Sequence, residues 1–105
     1  MPQNRLKQLL KFLEETPDDD FLNYAIAMEY MGAGDLDKAL ELLMNLKERN
    51  PEYLATYYQL GKILETKSET EKARSIFKRG HELAIKQKEN KTAAELQSAI
   101  NLLDD

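Results

Sequence analysis

The feature that most constrains the fold is a recurrence at one fixed interval. Pro17 and Pro51 are 51 − 17 = 34 residues apart, and so are Ala39 and Ala73. Leu9, Leu43 and Phe77 form a series at the same spacing, and Tyr24/Tyr58, Ile26/Leu60 and Ala27/Gly61 pair across it. A period of this length marks a supersecondary unit that cannot bury its apolar face alone and stacks on copies of itself.

Helical spacing fills each period. Tyr57, Leu60, Gly61 and Leu64 stand at i, i+3, i+4 and i+7, and Ala73, Ile76, Phe77 and Gly80 repeat that pattern after a break at Lys67-Ser68. The unit is therefore a helical hairpin with a small residue on each inner face. Ser68, three residues before Glu71, reads as a capping box opening the second helix. Thr16-Pro17-Asp18-Asp19 and Asn50-Pro51-Glu52 read as an N-cap, a proline at the first helical position and acid in the first turn.

Six helices follow: about 3–15, 18–31, 35–49, 51–66, 69–86 and 91–103. Gly32-Ala33-Gly34 supplies a left-handed stop before Asp35 caps the third. In the last helix Ala93, Leu96, Ile100 and Leu103 form the inner side, with Glu95, Gln97 and Asn101 outside. No linker is long enough to divide the 105 residues, so a single all-α domain is expected.

Composition narrows the function. There is no cysteine, which excludes disulfides and thiolate chemistry. Nothing resembles a signal peptide or a membrane span, which places the chain in the cytoplasm as an expectation. His81 is the single histidine, and Ser68, Ser75 and Ser98 have no recognisable base nearby, so no catalytic constellation is apparent. Asp18-Asp19-Asp20 is explained by capping and the helix dipole rather than by a cation, and Gly32-Ala33-Gly34 lacks the lysine and hydroxyl of a phosphate loop. The expectation is a non-enzymatic protein without metal or cofactor.

The period and its paired small and large residues resemble the tetratricopeptide repeat. Residues 54–87 carry the resemblance through Tyr57, Leu60, Gly61, Leu64, Ala73, Phe77 and Gly80, and residues 20–53 through Ile26, Ala27, Tyr30, Gly34-Asp35, Ala39, Leu43 and Pro51. Residues 4–17 resemble the second helix of a preceding repeat, and 91–103 a terminal cap. Asn23, where the family prefers an aromatic, and Leu46, where it prefers alanine, depart from the pattern. The resemblance implies antiparallel hairpins stacked as a short right-handed α-solenoid, a TPR-like fold.

It also implies an adaptor or scaffold role, with a peptide or protein segment bound in the concave groove lined by the first helices. Carried over, that groove presents Phe21, Tyr24, Met28 and Met31, then Ala55, Tyr58, Lys62 and Glu65. Part of this stripe, Phe21 and Met31 above all, has core as its competing reading. The lysine-and-asparagine clamp by which some members hold a terminal carboxylate is not expected: its positions hold Tyr24, Met28, Tyr58 and Lys62, and Lys62 alone survives.

Charge is uneven. Between Glu14 and Glu52 eleven acids stand against three bases, whereas Lys72 to Lys91 holds seven bases with Glu82 and Glu89 interleaved. Arg74, Lys78, Arg79, Lys86, Lys88 and Lys91 read as a solvated basic face or as a surface steering an acidic partner. The net charge of −4 argues against nucleic acid. The alternative function is homodimeric self-association through the first helix, whose Leu6, Leu9, Leu10, Phe12 and Leu13 offer more apolar surface than one neighbour covers.

Overall fold

Two prolines and three left-handed residues punctuate the chain into its elements. The computed structural model describes residues 2–104. Six helices occur among them: α1 (Pro2–Glu15), α2 (Asp20–Gly32), α3 (Leu36–Arg49), α4 (Ala55–Thr66), α5 (Thr70–Lys86) and α6 (Asn90–Leu103). The described residues cluster in two compact units, one ending at Tyr53 and the other starting at Leu54. No described helix is long and apolar enough to cross a membrane.

In the first unit α2 packs on both α1 and α3. Its core is Ile26 and Ala27 of α2 with Ala39, Leu43 and Leu46 of α3, all buried. Arg5 of α1 pairs with Glu29 of α2 at 2.8 Å. The far end of the hairpin is pinned by Asp20, whose carboxylate accepts from Asn50 Nδ2 at 2.7 Å and lies 3.6 Å from Arg49.

In the second unit α5 packs on both α4 and α6. Buried in it are Tyr57, Leu60, Ile63 and Leu64 of α4, Ala73, Ile76, Phe77 and Ala84 of α5, and Ala93, Leu96, Ala99 and Ile100 of α6. Leu103 is only half-buried. Arg74 of α5 joins Asp104 beyond α6 and Glu71 one turn away, so this guanidinium is occupied within the chain. The side chains of Lys78, Arg79, Lys86, Lys88 and Lys91 are exposed.

The turns correct three sequence expectations. Ser68 does not cap α5. It sits in the left-handed region at φ 63°, α5 starts at Thr70, and the N-cap Glu69 makes no side-chain capping bond. The reason is a competing motif that closes α4: Ser68 N–H donates to Glu65 O at 2.9 Å and Glu69 N–H to Leu64 O at 2.8 Å. This is the paired five-to-two and six-to-one arrangement that satisfies a helix's last carbonyls. The same pair closes α2, from Gly34 to Met31 and Asp35 to Tyr30, and closes α5, from Lys88 to Ile85 and Glu89 to Ala84. Gly34, at φ 83°, is the expected stop, and Asp35 caps α3 by accepting from Lys38 N–H at 3.1 Å.

Neither Pro17 nor Pro51 opens a helix. Each is the second residue of a tight turn, closed by Asp19 N–H donating to Thr16 O at 3.0 Å and Tyr53 N–H to Asn50 O at 3.1 Å. Proline's fixed φ suits that position, and its ring forbids the helical conformation just before it. Hence α1 ends at Glu15 and α3 at Arg49, each two residues before the proline. Helix α2 instead starts at Asp20, capped by Asp19, whose carboxylate accepts from Leu22 N–H at 2.8 Å. Residue 85, one period beyond Pro51, is isoleucine, and α5 accordingly runs on to Lys86.

Candidate functional site

Helix α2 is unusual in being apolar nearly all round, with Asp20 and Glu29 its only charges. Its inward side holds Asn23, Ile26 and Ala27, all buried. Phe21, Tyr24, Met28 and Met31 lie at i, i+3, i+7 and i+10, on the side turned away from that core. A partly exposed apolar stripe of this composition is what an amphipathic surface helix lacks.

Phe21 is 67% exposed, which overturns the core reading for it. Tyr24, Met28 and Met31 are half-buried. Tyr24 leans on Tyr53, with ring centroids 6.1 Å apart and planes tilted by 56°. Burial raises the Tyr53 phenol above its usual value, and Tyr24, Asp20 and Asp19 add to the rise.

Asn23 anchors the approach to the stripe. Its side-chain amide donates to Pro17 O at 3.1 Å and Asp19 O at 2.8 Å, so it fastens the proline turn to α2 and keeps its amide donors bonded on burial. Sequence reasoning saw Asn23 only as a departure; an amide six residues after a proline was the available signal. Tyr53, just beyond the Asn50-Pro51 turn, was not singled out at all.

The stripe of α4 is more polar. Ala55 is exposed, and Tyr58, Lys62 and Glu65 are half-buried. Tyr58 packs on Phe77 at 6.1 Å between centroids, tilted by 47°. Lys62 lies 3.4 Å from Glu65 one turn on, a local pair that blunts its charge. Among the described residues no group of three or more histidine, cysteine or acidic side chains converges as metal ligands.

A family model described as tetratricopeptide repeat matches residues 22–53 and again residues 54–86. The chain belongs to the tetratricopeptide repeat family. Each matched segment is one of the helical hairpins described above, α2 with α3 and α4 with α5. Among relatives of this tetratricopeptide repeat protein, the TPR repeat-containing protein PA0015 of Pseudomonas aeruginosa is 26% identical over 99 residues, covering 94% of each chain. Among solved structures, a tetratricopeptide repeat domain protein from Salinibacter ruber is 36% identical, covers 83% of this chain and 88% of its own, and superposes with a TM-score of 0.79. The type III secretion chaperone SycD of Yersinia enterocolitica, in complex with a peptide of the translocator YopD, shares the fold at a TM-score of 0.87 but is 14% identical, covering 98% of this chain and 79% of that one.

Proposed function

We propose that this protein is a non-catalytic interaction module that binds a peptide or protein segment through the first helices of its repeats. Phe21, Tyr24, Met28 and Met31 of α2 supply the apolar contacts, and Tyr58, Lys62 and Glu65 of α4 the more polar ones. The observation that carries this reading is the partly exposed apolar stripe of α2, on which a phenylalanine stands 67% exposed. Rigid aromatic bodies with adaptable methionines are the side chains that anchor a partner at small conformational cost. The peptide-bound state of SycD, a relative in fold, supports the class of partner.

The test is affinity capture from the source cell extract with the wild-type chain beside a Tyr24→Ala, Tyr58→Ala double variant whose helicity by circular dichroism is intact. The wild type retains a partner that the double variant loses. Retention by both removes the assignment.

Self-association through α1 is a second reading, favoured by Phe12, which is 57% exposed, and Leu10, which is 38% exposed. These flank the half-buried Leu6, Leu9 and Leu13. Light scattering over a concentration series then shows a dimer that Phe12→Glu dissociates; a monomer throughout removes this reading.

A further inference from the structure

The apolar stripe of α2 lies within a stretch that contains no cation. From Phe12 to Asp37 there is no lysine, arginine or histidine, whereas Glu14, Glu15, Asp18, Asp19, Asp20, Glu29, Asp35 and Asp37 all fall inside it. Cations from outside this stretch already occupy two of these carboxylates, Arg5 on Glu29 and Arg49 on Asp20. Asp19 and Asp35 are committed to capping. Glu14, Glu15 and Asp18, at the end of α1 and in the turn that leads to Phe21, are exposed and enter no ion pair with a described residue. In sequence the exposed Phe21 thus follows Asp18 by three residues, and no described residue neutralises Glu14, Glu15 or Asp18.

Taking the binding reading above as given, we infer that the segment docking on α2 is a basic one, with lysine or arginine beside an aromatic or aliphatic anchor. The division of labour is physical. Apolar burial against Phe21, Tyr24 and Met28 supplies most of the affinity, because a large side chain removed from water contributes more than an exposed ion pair does. Solvent-exposed carboxylates contribute little apiece. They act on selection: a basic segment is steered in, and an acidic one meets like charge as it reaches the stripe. Carboxylates at Asp18 and Glu15 accept from guanidinium or ammonium groups with charge-assisted bonds.

A randomised dodecapeptide library displayed on phage and selected against the chain at low ionic strength tests this. The expected pool is enriched in Lys and Arg next to Phe, Leu or Met. Its peptides bind about tenfold more weakly to a Glu15→Lys, Asp18→Lys variant and weaken as salt is raised. They fail to bind a Phe21→Ala, Tyr24→Ala variant of unchanged helicity. A pool that needs Phe21 and Tyr24 yet is acidic or uncharged overturns the inference and leaves the apolar stripe as the docking face. A pool indifferent to Phe21 and Tyr24, or no selected peptide at all, overturns the binding reading itself.

Discussion

Gly61 lies directly beneath the ring of Phe77, and one helical step away the relationship is reversed, with Gly80 of α5 against Tyr57 of α4. A methyl on Gly61 would come within 2.6 Å of Cδ1 of Phe77, and one on Gly80 within 2.6 Å of Cβ of Tyr57 and 3.3 Å of Leu96 Cδ1. Each helix thus gives up a side chain where the other supplies an aromatic. Gly61→Ala and Gly80→Ala are each expected to lower unfolding free energy by about 1–3 kcal/mol in urea titrations. Gly80→Ala is the more damaging, since Tyr57 Cβ is fixed to its backbone while the Phe77 ring can tilt. Phe77→Leu added to Gly61→Ala should recover part of the loss.

The left-handed turn position is held by glycine once and by ordinary residues twice. Side chains at Ser68, φ 63°, and Lys88, φ 62°, cost about 1–2 kcal/mol there, part of which glycine's extra unfolded-state entropy offsets. Ser68→Gly and Lys88→Gly are therefore expected to raise stability by about 1 kcal/mol each, seen as a higher Tm. Gly34→Ala should lower it by about the same amount.

Asn23 and Leu46 correspond, one period on, to Tyr57 and Gly80. All four are buried, and the bulk has moved from one helix to the other. Each departure from the family pattern therefore compensates the other. Leu46→Gly alone should cost about 2–5 kcal/mol through the cavity it leaves. Asn23→Ala should cost about 1–3 kcal/mol by freeing the carbonyls of Pro17 and Asp19. In a double-mutant cycle, Asn23→Tyr with Leu46→Gly should be less harmful than the sum of its parts.

Thr56 is fully buried, and its hydroxyl has no hydrogen-bond partner among the described residues. Thr56→Val keeps the branched shape and removes the desolvated group. Chemical denaturation should show a gain of about 1 kcal/mol.

The phenols of Tyr53 and Tyr57 are both raised, chiefly by burial. A raised value means the folded chain holds the proton more tightly than the unfolded one, so this stability is complete below the unfolded phenol's range, about pH 10, and is lost as pH rises through the folded value. Melting temperature is expected to fall above that pH. A Tyr53→Phe, Tyr57→Phe variant should fall less steeply.

Helix number, pairing and the small residues at Ala39, Gly61, Ala73 and Gly80 were legible because the interval and the helical spacing agree at many positions at once. The turns were not. Ser68 followed three residues later by Glu71 satisfies a capping rule locally, but the carbonyls ending α4 claim that backbone first. The proline turns misled in the same way, since proline suits a helix's first position and a turn's second equally well. At the site, the stripe of α2 followed from periodicity, whereas the Tyr24–Tyr53 contact and the Asn23 bonds join an element to a turn, where no periodicity exists.

Within each unit every helix packs on its neighbour in the chain, so the loops to be closed on folding are only a few residues long. The entropy lost before contacts form is correspondingly small. Such a molecule should reach its native state within microseconds to milliseconds. The cell then meets little of its unfolded form during synthesis.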